Sequence, residues 1–183
     1  MPGNEESGAS DLYNLHNRNS GVGFGSSPVD YFLKLEGIKG ESQDHKHKGE
    51  IQLQLFSWGA LNESGGGHGG GMGVGRVRMR DFNFLTPTHV GSPALFLACA
   101  GGDHITTAML TCRKAGKEQQ EYLKIVFHDV MITACHLQGT ELPIDIVSFR
   151  YNTIEMEYHE QKNDGSLAGA VKAGWNLKAT QKV

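Results

Sequence analysis

Several stretches of the chain hold residues whose types and spacing could do chemistry. The first, residues 63–84, sets a run of glycines and His68 ahead of a basic segment. It contains a literal GxGxxG at 65–70, the spacing with which a dinucleotide-binding loop approaches a pyrophosphate. Such a loop needs a helix N-terminus behind it to hold the phosphate, and here "GRVRMRDFNF" follows, which reads as a strand. No Gly-Lys-Ser/Thr occurs, so a P-loop is absent too. The glycines read as a flexible connection between strands. His45 and His47 are spaced to begin a metal site, but Lys46 and Lys48 would repel a cation, and the cysteines are not placed to complete a tetrahedral set. Ser57, in "FSWG", is the candidate nucleophile, yet no GxSxG elbow surrounds it. His128-Asp129 sits in a strand pattern, where neighbours point to opposite faces and cannot act as base and orienter. Arg76, Arg78 and Arg80 form a basic stripe. Without aromatics interleaved on its face it suits pairing with an acidic strand such as Glu155 and Glu157, across a sheet or a subunit boundary, better than base stacking.

Elements must position these residues, and the pattern is mostly that of strands. "VDYFLKLEG" sets Tyr31, Leu33 and Leu35 on one face against Asp30, Lys34 and Glu36. A polar connection at 38–49 leads to "EIQLQLFSWG". There Ile51, Leu53 and Leu55 share one parity while Phe56 and Trp58 take the other, so a bulge or bend is expected near Phe56, with Ser57 facing away from both aromatics. A second change of parity separates the arginines from Phe82 and Phe84. "SPALFLACAGG" is the one helix signal: Ser92 as N-cap, Pro93 in the first turn, Gly101 as left-handed stop, and a short, mostly buried body. Residues 105–137 read as a long hairpin turning at 115–119. A strand carrying Ile154, Met156 and Tyr158 opposite Glu155, Glu157 and His159 follows, then a loop at 162–170 and a last strand at 171–180. Strands with one flanking helix imply an antiparallel barrel or sandwich.

Length and composition bound the class. A chain of 183 residues with net charge −3 is one ordinary domain, or one domain plus a tail, large enough to fold around its own core without staples. Residues 1–27, rich in Gly, Ser and Asn, read as a flexible N-terminal arm, and 28–183 as the folded domain. The arm begins without an apolar h-region, so a secretory signal peptide is not expected. No apolar run approaches a membrane span, and the small negative charge gives no general pull toward nucleic acid. Cys99, Cys112 and Cys135 form no CxxC pair and read as buried thiols. Nothing calls for a cofactor.

In this order the pieces resemble the haemolysin-coregulated protein (Hcp) family, the tube subunits of type VI secretion systems. The residues that carry the resemblance are "VDYFLKLEGIKGES", His47, "EIQLQLFSWG", the glycine loop with its following strand, "LACAGGDH", "TCRKAGKEQQEYLKI" and "VKAGWNLKAT". The likeness runs from about Val29 to Thr180; the arm has no counterpart in it.

The resemblance implies a two-sheet β-barrel with a flanking helix, assembling as homo-hexameric rings that stack into a tube. It implies type VI sheath, spike and small effector proteins as partners, effectors being carried in the ring. It also implies synthesis in the cytoplasm and export with the tube, without a signal peptide, and no enzymatic activity. Ser57 matches the family's lumen-facing serine. Lys39, Gly40, Glu41, Ser42 and His47 lie in the matching extended loop that reaches an adjacent subunit or ring. A phage-type contractile tail tube protein shares the barrel logic; a hydrolase using Ser57 and a monomeric small-ligand barrel are the competing classes. Removing residues 1–27 is expected to leave the melting temperature of the folded domain nearly unchanged; a drop of several degrees in a thermal melt would show the arm to be packed.

Overall fold

The computed structural model describes residues 29–63, 76–114, 119–139, 141–162, 164 and 166–183. The expected arm at 1–27, the glycine loop at 65–75 with His68, and residues 115–118 of the expected hairpin turn lie outside the described residues. Among the described residues the strands are β1 (Val29–Leu35), β2 (Ile51–Leu53), β3 (Leu55–Ser57), β4 (Ala60–Glu63), β5 (Arg76–Met79), β6 (Phe82–Pro87), β7 (His104–Lys114), β8 (Glu121–Gln138), β9 (Ile144–Arg150), β10 (Thr153–Gln161), β11 (Leu167–Asn176) and β12 (Gln181–Lys182). The helix, α1 (Ser92–Gly101), lies between β6 and β7.

The strand pairings, all antiparallel, close a circuit. β1 pairs with β2 and β7, β7 with β8, β8 with β9, β9 with β6, and β6 with β3, which continues β2 beyond Gln54. This is the expected antiparallel barrel with one flanking helix. Two segments make closure of this one ten-stranded sheet possible by changing strand partners along their length. At Gln54, whose N–H donates to the Leu85 carbonyl at 2.8 Å, the chain leaves β1 and joins β6. In β8, residues 123–128 pair with β10, whereas residues from Met131 onward pair with β9. The bend between them is marked by Asp129 at φ 54 and a register shift between Ile132 and Ala134. β10, β11 and β12 extend the sheet outward from β8.

The parity changes in the sequence are changes of strand partner. Ile51 and Leu53 enter the main core, Leu55 packs on a separate cluster of Leu85, Ile144 and Ile146, and Phe56 returns to the main core. The bulge expected near Phe56 is thus a crossing at Gln54. The second parity change has the same origin: β5 pairs with β4 in a separate two-stranded sheet, and the chain joins the barrel only at Phe82.

The core is built on aromatic rings. Phe82, fully buried, lies 4.9 Å from Phe149, 5.0 Å from Phe127 and 5.7 Å from Phe56, centroid to centroid. Such pairs add to the area they bury.

α1 departs from expectation in three ways. Gly91, not Ser92, occupies the N-cap, because the Ser92 hydroxyl is turned to the Asp145 carboxylate. The left-handed stop is Gly102 at φ 67, not Gly101, and its N–H returns to the Ala98 carbonyl side of the last turn. The helix is buried only along Leu95 and Ala98, while Phe96 and Leu97 are exposed. Of the cysteines, only Cys112 is fully buried; Cys99 and Cys135 are half-buried. The last long strand begins at Leu167, earlier than expected, and the short β12 returns against Trp175 and Asn176.

Phe82→Ala removes the ring that joins Phe56 of β3, Phe127 of β8 and Phe149 of β9. It is expected to cost about 3–5 kcal/mol, seen as a lower urea midpoint at unchanged slope.

Candidate functional site

β3 is held by the aromatic residues on either side of Ser57. The Phe56 ring meets Tyr31 edge-on at 5.1 Å and stacks on Phe82 at 5.7 Å. The Trp58 indole N–H donates to the Tyr151 hydroxyl, which in turn donates to the Arg80 carbonyl at 3.4 Å. Burial pushes the Tyr151 phenol up to about 12, so the hydroxyl keeps its proton and can bridge the two. With both aromatics drawn to the core, strand alternation turns Ser57 to the opposite face. That is the orientation expected from parity.

The register sets out a row across this face. Ser57 stands opposite Asn83, Asn83 opposite Ser148, and Ser148 opposite Ala134. The Ser148 hydroxyl donates to the Asn83 side-chain oxygen at 2.6 Å, and the Asn83 amide donates to the Asp81 carbonyl at 3.0 Å. The next row, Leu55, Leu85 and Ile146, is apolar. The Ser57 row is neutral, small and polar; Ser57 is half-buried, while Asn83 and Ser148 are buried and satisfy each other. A serine hydrolase needs a base on the nucleophile, and among the described residues none is hydrogen-bonded to Ser57.

The second candidate region is the loop between β1 and β2. Phe32 lies on the face of β1 that also carries Asp30 and Lys34, yet it is 2% exposed. The loop is what covers it. The His47 ring lies flat on the Phe32 ring at 4.2 Å with 9° between planes, and the Arg113 guanidinium sits 4.8 Å from the same centroid. Arg113 is itself buried and bridges Asp30 at 3.0 Å and Asp44 at 2.8 Å. Asp44 also accepts the Lys46 and His47 N–H groups at 2.9 and 3.2 Å. Burial alone would raise the Asp44 pKa; the Lys46 amide, Arg113 and the His47 amide outweigh it and hold the carboxyl at about 2. His47 Nδ1 is 3.0 Å from Glu50, and its Nε2 is 3.7 Å from Glu121.

Backbone pairing closes the loop into a strap. Gly40 N–H donates to the Gly49 carbonyl at 2.8 Å, Ser42 N–H to Glu50 at 3.0 Å, and Gly49 N–H to Ser42 at 2.8 Å. A Cβ at Gly40 would collide with the Glu50 carbonyl, and Gly49 takes φ 74, so each glycine is required where it stands. The Glu41 carboxylate accepts the Val90 N–H at 2.8 Å and ties the strap to the entry of α1. Gly40, Ser42 and His47 thus face inward within this subunit, with Ser42 and His47 buried, while Lys39 and Glu41 stay exposed.

The remaining candidates separate. His45 is exposed and His47 buried, so the two rings do not share a site. Among the described residues no group of three His, Cys, Asp or Glu side chains could hold a metal ion. His128 contacts Glu155 at 3.1 Å, whereas Asp129 accepts from Lys178 at 3.0 Å, from His104 at 2.8 Å and from the Asn152 amide. The bonds to Lys178 first, and then to His104, hold the Asp129 carboxyl down at about 2. Pairing of the arginine stripe with Glu155 and Glu157 in one sheet does not occur: β5 lies against β4, and Glu157 is engaged by Lys172 and His159, each at 2.9 Å. Tyr151, Asn83, Ser148 and Arg113 are the working residues that the sequence reading missed. Phe32, apolar on a charged face, was the available signal for Arg113.

The sequence profile of the family described as "Type VI secretion system effector, Hcp" matches residues 32–158, a span that takes in both the strap and the Ser57 row. The chain belongs to the Hcp family. It is 38% identical over 155 residues to Protein hcp1 of Pseudomonas aeruginosa, covering 82% of this chain and 96% of the relative. The fold is similar to the crystal structure of Hcp1 from Salmonella typhimurium, with TM-score 0.74 and 33% identity over 86% of this chain and 100% of that one. It is also similar to a structure titled as a type six secretion system protein, with TM-score 0.80 and 25% identity over 85% and 99% of the two chains. Membership makes the chain a tube protein of type VI secretion, a structural and secreted family. None of its helices, among the described residues, is long and apolar enough to cross a membrane.

In this Hcp protein the strap carries a pH signature. The Asp44 carboxyl is lowered in the folded state, so its stabilisation is complete above the ordinary carboxylate pKa and is lost as pH falls from about 4 toward 2. Asp44→Asn is expected to cost about 1–2 kcal/mol at pH 7, a linkage value reduced because water still reaches the carboxylate. Urea titrations at a series of pH values should show the variant and the parent converging near pH 2. A constant offset across that range would remove the ion pair as the cause.

Proposed function

We propose that this Hcp protein closes into hexameric rings that stack as the inner tube of a type VI secretion apparatus and carry small effector proteins in the lumen. The observation that carries the reading is the Ser57–Asn83–Ser148 row. It puts the half-buried Ser57 hydroxyl on the side turned away from the core by the Phe56 and Trp58 anchors, backed by the buried and mutually bonded Asn83 and Ser148, in a chain of this family. A lumen wall must hold diverse cargo without trapping it. An uncharged hydroxyl at Ser57, repeated around a ring, supplies several weak contacts and buries no charge.

The strap supplies the contact to neighbouring rings. Its inward residues Gly40, Ser42 and His47 fix its shape, and exposed Lys39 and Glu41 present its edge. A ring needs a heterologous interface whose rotation closes, and stacking repeats each contact around the ring, so a weak single contact suffices. Sheath and spike proteins of the apparatus are the further partners of the assembled tube.

Light scattering on a size-exclusion column, across a concentration range, should give a mass near six subunits, with ring-shaped particles by negative stain. Ser57→Arg should leave that mass unchanged and reduce retention of a co-expressed small effector at least tenfold. Loss of the ring in Ser57→Arg would contradict a lumenal position, and a monodisperse monomer of the parent at high concentration would contradict the tube assembly.

A further inference from the structure

The half-buried cysteines lie on the two sides of one helix–strand contact. α1 shows the barrel a single stripe, with Leu95 and Ala98 buried and Ser92 and Cys99 half-buried on the same face. Cys135, on β8, packs against the same core cluster as Cys99. β8 is the strand that α1 packs on.

Both ends of α1 are placed by contacts along β8. At the start, the Ser92 hydroxyl donates to Asp145, which stands opposite Leu137 in the β8–β9 register. At the far end, His104 pairs with Met131. The helix therefore runs beside β8 from Leu137 toward Met131. Seven helical residues carry the chain about 10 Å from Ser92 to Cys99, and two strand residues cover about 7 Å from Leu137 to Cys135. On these rises the two cysteines come within about 3 Å of one level along β8, and the small Ala98 side chain is buried beside Cys99. Cys99 is also among the groups that act on the Cys135 thiol, after burial and Asp145, which together push it up to about 11.

We propose that Cys99 and Cys135 are a disulfide-forming pair that fastens α1 to β8 when the protein meets a disulfide oxidant such as oxidised glutathione. The tube reading enters only in where that oxidant would be met, since a secreted subunit leaves the reducing compartment in which it is made. The Cys99 thiolate attacks one sulfur of the oxidant and releases the first glutathione thiol. The Cys135 sulfur, its proton passing to solvent, then attacks the mixed disulfide at Cys99 and releases the second. Two protein S–H bonds are replaced by one S–S bond, and the oxidant is reduced to two thiols. Cys112 stays outside this exchange: it is fully buried, and burial pushes its thiol up to about 12.

The test uses the purified full chain incubated with oxidised glutathione, then denatured and alkylated. The expected result is an intact mass lower by about 2 Da before alkylation, then one alkylated cysteine, Cys112, and a Cys99–Cys135 cross-linked peptide. Reduction should reverse it, and the oxidised protein should melt about 5 °C or more above the reduced one. Cys112→Ser should keep the cross-link. Cys135→Ser and either Cys99→Ser or Cys99→Ala should abolish it, the alanine variant keeping the test open if serine disturbs the helix. Three alkylated cysteines after oxidation, a glutathione adduct that does not resolve, or a cross-link between chains would overturn the proposal. Molar mass measured on the same samples scores the ring assembly separately, because the cross-link forms within one subunit.

Discussion

The architecture depends on a closure constraint. A sheet of this size must leave edge strands exposed or return to its own beginning, and return requires at least some strands to belong to both halves. Here the strand from Ile51 to Ser57 and the strand from Glu121 to Gln138 do so. Each breaks its regular geometry to achieve it, one at Gln54 and the other around Asp129 and Thr133. The aromatic cluster at Phe82, Phe127 and Phe149 fills the space these two turning strands enclose. Leu55, left on the wrong side by the crossing, finds its own smaller cluster with Leu85, Ile144 and Ile146. A displaced strand at either crossing would disturb core, outer cluster and polar row together.

The same constraint explains the "FSWG" segment. β3 is only three residues long and follows immediately on a crossing, so backbone pairing alone holds it weakly. Phe56 and Trp58 supply the rest by packing on Tyr31 and Phe82 and by bonding to Tyr151. Ser57 inherits a fixed orientation from its neighbours, and it inherits as row partners the residues of β6 and β9 that lie in register with it.

Much of this was legible in the sequence, though in a disguised form. Alternation located the strands, and the contradictory parity of Leu55 against Phe56, and of the arginines against Phe82, showed that something changed there. What alternation cannot distinguish is a bulge within one sheet from a passage between two, because both reverse the facing of side chains. The helix was found by Pro93 and its apolar body, but its caps were assigned one residue off. Ser92 could serve either the helix or Asp145, and Asp145 is a tertiary partner with no local trace. The strap was the least legible part. "KGES" and His47 stand out only by resemblance, and the inward placement of His47 depends on Phe32, Arg113 and Glu121, the last two more than sixty residues away.

In the proposed tube the strap's internal pairing has a consequence for how fast copies of this protein can join. A loop that orders only on contact must find its shape during each encounter, and that search slows capture. Between Gly40 and Glu50 the search is already over, since the stacked ring, the paired carboxylates and the crossed backbone bonds hold one shape in the isolated chain. In the proposed tube, neighbours would meet a finished surface, so that the rate at which they join would be governed by diffusion and orientation, with little ordering entropy left to be lost at the moment of contact.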